Sequence, residues 1–599
     1  MKKIVVLLCL FTFIFQSCKQ ENTVGVTENK NLELNEIFEQ YYQERMELYP
    51  IESTFAGETK FNHLFPNTLS DDYIEKIRTF YEKYNKLISK FESKDLCESD
   101  RLSVAILKSE CSINLERLNF HEELMPINQF DSMPLVMGQL GSGSSAQPFK
   151  TVEDYNNWLE RLIGFNQWII SAEARMKEGV SQGYVLPKAL TLQVIIQIKD
   201  LANKELENNL FYSPLKQFPS KFSASDKKRI TAAYSTFLTE KLIPSLTNLH
   251  KYISTDYLAA SRNTTGINEI PNGKKYYNYL VKNYTTTDLT PDEIHTIGLS
   301  EVERILGEME KVKVQVGFTG DIKQFFDYVR DRKELMPYTE PQQVIDHFNA
   351  IYTKMKPNLD KLFDVKPRTS FEVKRTESFR EATASVEYNP GSLDGTRPGV
   401  FYVPIPDVTK YNIYADEDLF LHEAIPGHHY QISLQQEDED LPSFRKTIWF
   451  TAYGEGWALY TESLGKELGL YQDPYQYFGM LSAEMLRAVR LVVDTGMHSK
   501  GWTREQAIEY SIAHEAEPLQ SIVAEIERYM AIPGQAVSYK IGQLKIRELR
   551  SKAEKKMGKK FNIKEFHNQV LETGCVPLTI LEEKINLWIL PQPLQKKGA

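Results

Sequence analysis

The chain has 599 residues, 42% of them hydrophobic and 25% charged, which is the composition of a globular protein rather than a disordered or fibrous one. Its formal net charge of −10 argues against a general nucleic-acid binder, which needs a basic face to meet phosphates. Length alone suggests several domains, but a helical enzyme of this size can also wrap one continuous body.

The first informative segment is N-terminal. Lys2 and Lys3 precede an apolar run over residues 4–15, followed by Gln16-Ser17-Cys18. A short positive region, about a dozen apolar residues and a small residue make a secretion signal, too short for the roughly 20 residues of a membrane helix. Cys18 directly after Ser17 has the form of a bacterial lipoprotein processing site. Residues 1–17 would then be removed, and Cys18 would carry the lipid. The alternative is plain secretion with Cys18 unmodified. The expected location is the cell envelope, on the periplasmic or outer surface of a bacterial membrane, with the lipid anchor as the membrane contact. If Cys9 and Cys18 are set aside, Cys97, Cys111 and Cys575 remain, an odd and scattered trio that is no disulfide framework. Cys97 and Cys111 could pair, or could be reduced thiols on neighbouring helices. No cysteine pair has zinc-site spacing, so any metal must be held by histidine and carboxylate.

Residues 18–30 are polar and aperiodic, a flexible tether. From residue 32 the pattern is helical, with Leu34, Ile37, Phe38, Tyr41 and Tyr42 at three- and four-residue spacing. Gly138, Gly141, Ser142, Gly143, Ser144 and Ser145 suggest a loop beside a cleft wall. Thr151-Val152-Glu153-Asp154 reads as a helix cap, and residues 227–257 are helical again. Thr290-Pro291-Asp292-Glu293 opens another long helix, with N-cap Thr, Pro at the first position and Glu at the third. Residues 385–388 and 400–403 are β-rich and separated by a turn-rich stretch, so a short sheet is expected before the histidines. Thr503-Arg504-Glu505-Gln506 caps a later helix. The expected fold is mainly α, with a helical region over residues 31–290 and a catalytic region over 291–599 in one continuous body.

The chemistry concentrates in His422-Glu423-Ala424-Ile425-Pro426-Gly427-His428-His429, which holds three of the eleven histidines. Zinc is commonly bound on a helix by His-Glu-x-x-His, in which the two histidines lie one turn apart and the Glu acts on the attacking water. Here position 426 is Pro. On a regular helix residues 422 and 428 would stand about 9 Å apart along the axis, and 422 and 429 about 10.5 Å, too far for one ion with bonds near 2.1 Å. Pro426 lacks an N–H and clashes with the carbonyl of His422, while Gly427 accepts almost any backbone angle. Together they can bulge the helix and return a later histidine to the metal. His428 is the favoured second ligand and His429 the alternative. The third is Glu455, between Gly454 and Gly456 on an otherwise apolar segment, where a lone carboxylate would be costly without a partner. Glu462 could support a ligand from behind.

These residues, with Glu455-Gly456-Trp457-Ala458-Leu459-Tyr460, resemble a bacterial family catalogued as domain of unknown function 885, whose members are often lipoproteins. The likeness extends to residues 390–402, 493–503, 527–529 and 533–540, and so to nearly all the mature chain. The family is similar to the mainly helical zinc metallopeptidases of gluzincin type, but carries extra residues between the histidines. The resemblance implies a large helical zincin-like body, a small sheet beside the metal helices and a deep central cleft. It also implies a peptidase for short peptides, with zinc on His422, His428 and Glu455 and with Glu423 as general base. Tyr529, Tyr539 and His498 are candidates to stabilise the oxyanion. Arg528, Lys540 and Arg397 are candidates to hold a substrate carboxylate. A zinc hydrolase of another amide or ester, or a non-catalytic binding lipoprotein, remains open; the intact Glu423 argues against the last.

Overall fold

A computed structural model describes residues 31–590, apart from 144, 378–380, 382–384, 394 and 396. The signal segment, the tether and Cys18 lie outside the described residues. The protein is mainly helical, with one small sheet. No helix among the described residues is long and apolar enough to cross a membrane.

All three cap signals form helix starts. Thr151, Thr290 and Thr503 accept from the backbone N–H groups of Asp154, Glu293 and Gln506, and those third residues reach back to the cap. This reciprocal bonding satisfies donors that the first helical turn leaves open. The run over 224–260 is helical throughout, with widened π turns at Leu238–Leu242 and Ile253–Tyr257. The first widening lies just ahead of Pro244, whose ring conflicts with the carbonyl four residues back in an ordinary α-turn.

The largest buried core runs from Leu34 to Ile585 and so contains residues from both ends of the chain. Tyr41 packs on Phe80 and Tyr84 among the first helices and meets Phe444 near the metal helices edge to face at 5.6 Å. A second core surrounds the Val152–Gln182 helix, centred on Trp158, Phe165 and Trp168. A third lies between the helices Pro291–Gln315 and Pro474–Ser499.

The sheet has three strands. Gly399–Val403 is central, parallel to Phe371–Arg375 and antiparallel to Glu387–Asn389, with Phe371 opposite Gly399 and Glu387 opposite Tyr402. The strand Phe371–Arg375 was not anticipated. Its apolar-polar alternation is only five residues long, and such a run does not separate strand from helix.

Two expectations are corrected. Gly138 and Gly141 belong to the helix Met133–Gly141, where the first meets Leu201 and Leu210 and the second Trp158 and Phe211. These two glycines reflect close helix packing in the second core, whereas Ser142, Gly143 and Ser145 do form the expected loop; no described residue of this segment lines the metal pocket. Cys97 and Cys111 lie at the cap and in the body of one helix, Glu98–Arg117, not on neighbouring helices. Thirteen helical residues lie between them, a rise of about 20 Å, which excludes a bond between them.

Candidate metal centre

The histidine run is two helices, not one bulged helix. The first, Asp416–Glu423, stops at Glu423; the second, His428–Glu437, starts at His428. Between them Ala424 (φ −103°, ψ −105°) and Gly427 (φ −76°, ψ −130°) leave helical geometry, and the Ile425–Pro426 peptide is cis. Gly427 is required by close approach: a Cβ there would lie 1.9 Å from the carbonyl oxygen of His422 and 2.3 Å from that of Leu421. The break leaves carbonyls without helical partners, and the Glu455 helix (Thr451–Glu462) supplies donors. Trp457 Nε1–H donates to the Pro426 carbonyl at 2.9 Å, and the Thr461 hydroxyl lies 2.9 Å from that of Leu421. The same helix thus ties down both sides of the break and carries the third ligand.

Folding back in this way brings the rings of His422 and His428 to 4.8 Å between centroids, nearly perpendicular. Glu455 Oε2 lies 3.6 Å from His422 Nε2 and 3.5 Å from His428 Nε2. One ligand atom from each of the three residues falls within 4.8 Å of the others, a spacing that could hold a metal ion. Gly456, next to Glu455, meets Gly542 of the Ser538–Met557 helix so closely that a Cβ would lie 2.5 Å from the Gly542 Cα. That contact sets the depth at which Glu455 enters the cluster.

His429 turns the other way. Its Nδ1 lies 2.9 Å from the Tyr388 hydroxyl, and its ring meets Phe371, so it joins the second helix to the sheet. Burial pulls its imidazole down to about 4, which keeps it neutral. Of the two alternatives, His428 is the one that faces Glu455.

The surroundings fit a divalent cation. Glu462, 1% exposed, holds His422 Nδ1 at 2.7 Å, which directs the Nε2 lone pair of His422 inward. Glu423 Oε1 lies 4.0 Å from His422 Nε2. Burial pushes the His422 imidazole down, but Glu455 and Glu462 outweigh it and hold the ring well above its usual value. Burial pushes Glu455 up, yet the two imidazoles beside it hold it well below the carboxylate range. Glu423 is raised by burial, and Asp418 is raised well above its usual value by burial and then by the charge of Glu462. Four carboxylates, Asp418, Glu423, Glu455 and Glu462, thus crowd two imidazoles and the Arg487 guanidinium. Like charges in a dry site repel strongly, and a bound cation relieves that repulsion.

The cluster opens into a pocket of about 800 Å³. Tyr388 of the sheet, Trp449 and Ile432 form one part of the wall; Arg487, Arg490, Glu525, Arg528 and Tyr539 form another. Tyr539 is half-buried and lines it, as does Arg528, which pairs with Glu525 and donates from Nη2 to Gln535 at 2.8 Å.

Four expected site residues do not line it. Tyr529 is buried behind the wall, where its hydroxyl donates to Glu525 at 2.6 Å and accepts from Arg490 Nε at 2.8 Å. His498 has both ring nitrogens engaged, Nδ1 accepting from the Ile267 N–H at 2.9 Å and Nε2 donating to the Tyr529 carbonyl at 3.0 Å. Lys540 is wholly buried between Glu301 at 2.9 Å and Glu484 at 2.7 Å, so it neutralises a core carboxylate pair. Arg397 is exposed at the turn before the central strand and stands outside the pocket lining.

Reading the sequence missed Arg487, Arg490, Trp449 and Tyr388. For the arginines a signal existed: they are the only charges in the apolar run over residues 485–493. The aromatic pair carried none, since their roles depend on where the sheet and the loop before Thr451 come to lie.

Fold and site together define a mainly helical protein whose broken helix and following helix bring two histidines and a glutamate into one buried cluster at the floor of a pocket. The chain belongs to the family of bacterial proteins of unknown function known as DUF885, whose model matches residues 50–585. A "putative lipoprotein" from Colwellia psychrerythraea has the same fold, with a TM-score of 0.83 at 26% identity over 93% of this chain and 98% of its own. A "putative lipoprotein of unknown function" from Shewanella oneidensis reaches 0.73 at 17% identity over 92% and 99%, a likeness of fold alone. Comparison with curated proteins finds no significant match.

Proposed function

We propose that the chain is a zinc-dependent peptidase acting on short peptides, held at the bacterial cell envelope by a lipid on Cys18. The observation that carries this reading is the convergence of His422, His428 and Glu455 beside Glu423 at the floor of a pocket large enough for a few residues of peptide. The anchor rests on the lipoprotein-type segment ending in Ser17-Cys18, and two proteins of the same fold are described as putative lipoproteins.

His422 Nε2, His428 Nε2 and a Glu455 oxygen would hold the ion. Zinc bound there would supply a Lewis acid for the scissile carbonyl and the attacking water. The chain's own residues do the rest. Glu462 fixes the His422 ring by taking the Nδ1 proton into a hydrogen bond. The Glu423 carboxylate accepts the proton of the attacking water at one oxygen and passes it to the leaving amine nitrogen. Its burial raises its affinity for that proton, as a general base working near neutral pH requires. Tyr539, half-buried in the lining of the pocket, would donate its hydroxyl to the oxyanion. Trp449, 6.0 Å from the His428 ring, covers that side of the cluster against water.

The test is metal analysis combined with hydrolysis of a mixed peptide library by the parent and by Glu423→Gln. Stoichiometric zinc in both, with cleavage reduced at least a hundredfold in the variant, is the expected result. Bound zinc with no cleavage of any peptide would overturn the peptidase reading and leave a hydrolase of another amide or ester, or a binding protein.

A further inference from the structure

One wall of the pocket carries three guanidinium groups. Arg487 and Arg490 lie one turn apart on the helix Pro474–Ser499, and Arg528 comes from Leu519–Ala531. Arg490 is 6% exposed. It donates from Nε to Tyr529 and from Nη2 to Glu525 at 2.9 Å, and its guanidinium lies 4.7 Å from the centre of the Tyr539 ring. Its remaining nitrogen, Nη1, is buried with no acceptor. The same holds for Arg487 Nε and Arg528 Nε. One N–H on each of these three lining side chains is thus enclosed without an acceptor, and a small movement toward a bound anion would satisfy it.

The nearby acids act on these groups by charge but leave the three nitrogens without a hydrogen bond. Glu525 is shared between Arg490, Arg528 and the Tyr529 hydroxyl, one carboxylate against two guanidinium groups. Glu515 also lines the pocket, but burial pushes its carboxyl up to about 8, so it is mostly neutral near pH 7. Glu517 stands exposed among the lining residues. Arg487 lines the same pocket as Glu423, His422, His428 and Glu455, so this wall and the metal cluster face one space.

We propose that Arg487, Arg490 and Arg528 form a subsite for a carboxylate of the substrate, which makes the pocket selective for short peptides that present a free C-terminus or an acidic side chain. The planar fork of arginine matches a carboxylate in two-point hydrogen bonding, and Tyr529, Tyr539 and Glu525 hold the Arg490 fork in place. This rests on the reading of the pocket as a peptide-binding site, but its test does not require cleavage.

The experiment is calorimetric titration of zinc-loaded Glu423→Gln protein with N-acetyl-trialanine, with its C-terminal amide, and with an amidated N-acetyl peptide ending in Asp. The free acid should bind at least tenfold more tightly than its amide. That ratio should fall below threefold when Arg490→Gln or Arg487→Gln is added; Arg487 is half-buried, so its variant keeps the test valid if the Arg490 variant fails to fold. Tight binding of the amidated Asp peptide would assign the site to an acidic side chain, and weak binding would assign it to the C-terminus. Equal binding of acid and amide, no binding of either, or a preference that survives both substitutions would overturn the proposal. Acid-selective binding without cleavage by the parent protein would sustain the subsite and sink the peptidase reading. Equal cleavage of acid and amide, with equal binding, would do the reverse.

Discussion

Glu462→Gln isolates the contribution of the residue behind the metal ligands. Glu462 is 1% exposed and lies 2.7 Å from His422 Nδ1, so the bond is buried and charge-assisted. Such bonds contribute about 1.5–3 kcal/mol, roughly twice their neutral counterparts. Glutamine keeps the shape and an acceptor oxygen but loses the charge, leaving about half the interaction. The loss of roughly 1–1.5 kcal/mol corresponds to about tenfold weaker zinc binding, the low end of what residues behind metal ligands usually contribute. The assay is competition for zinc against a chromophoric chelator, run beside thermal melting of the metal-free protein. The variant also removes the Glu462 charge that, after burial, raises Asp418, which offsets part of the lost bond in the metal-free protein. Zinc affinity unchanged within twofold would refute the reasoning, because His422 would then not depend on Glu462 for its orientation.

Three further outcomes follow from the same geometry. His428→Ala should abolish stoichiometric zinc binding, whereas His429→Ala should retain zinc and lower the melting temperature by removing the Tyr388 contact; metal analysis and melting curves read both. Gly427→Ala should destabilise the protein by about 1–3 kcal/mol or more and weaken zinc binding, because its Cβ meets backbone oxygens that must move; urea midpoints and the chelator assay check this. Burial pulls His498 down to about 3, well below its unfolded value near 6.5. A depressed value means that its contribution is fully present above about pH 6.5 and is lost as pH falls toward 3, because the unfolded chain takes up a proton that the folded chain refuses. His498→Gln should therefore flatten the fall in urea midpoint between pH 6.5 and 4 by about one proton; an unchanged slope would show that acid sensitivity arises elsewhere.

Much of the site was legible because its signals are local. The histidines and Pro426-Gly427 are contiguous, and the glycines beside Glu455 announce a close helix contact that Gly456 and Gly542 make. The caps at Thr151, Thr290 and Thr503 are equally local, since their bonds span three residues. Misreadings arose where residue type was taken for position. Lys540 and His498 lie in segments that look functional, yet they serve buried pairs with Glu484 and with the Tyr529 carbonyl. Gly138 and Gly141 suggested a loop, but they are small because other helices press on them.

By itself the sequence determined that the chain is mainly helical, that its histidine helix cannot stay regular at Pro426, and which few residues could meet a metal. Only the tertiary structure decided that His428 turns inward while His429 turns to the sheet, and that Arg487 and Arg490 form a wall of the same pocket. The reason is physical. Helix breaks and caps depend on bonds within a few residues, whereas the facing of a side chain depends on which distant element supplies its partner: Glu455 for His428, Tyr388 for His429, and Glu525 for Arg490.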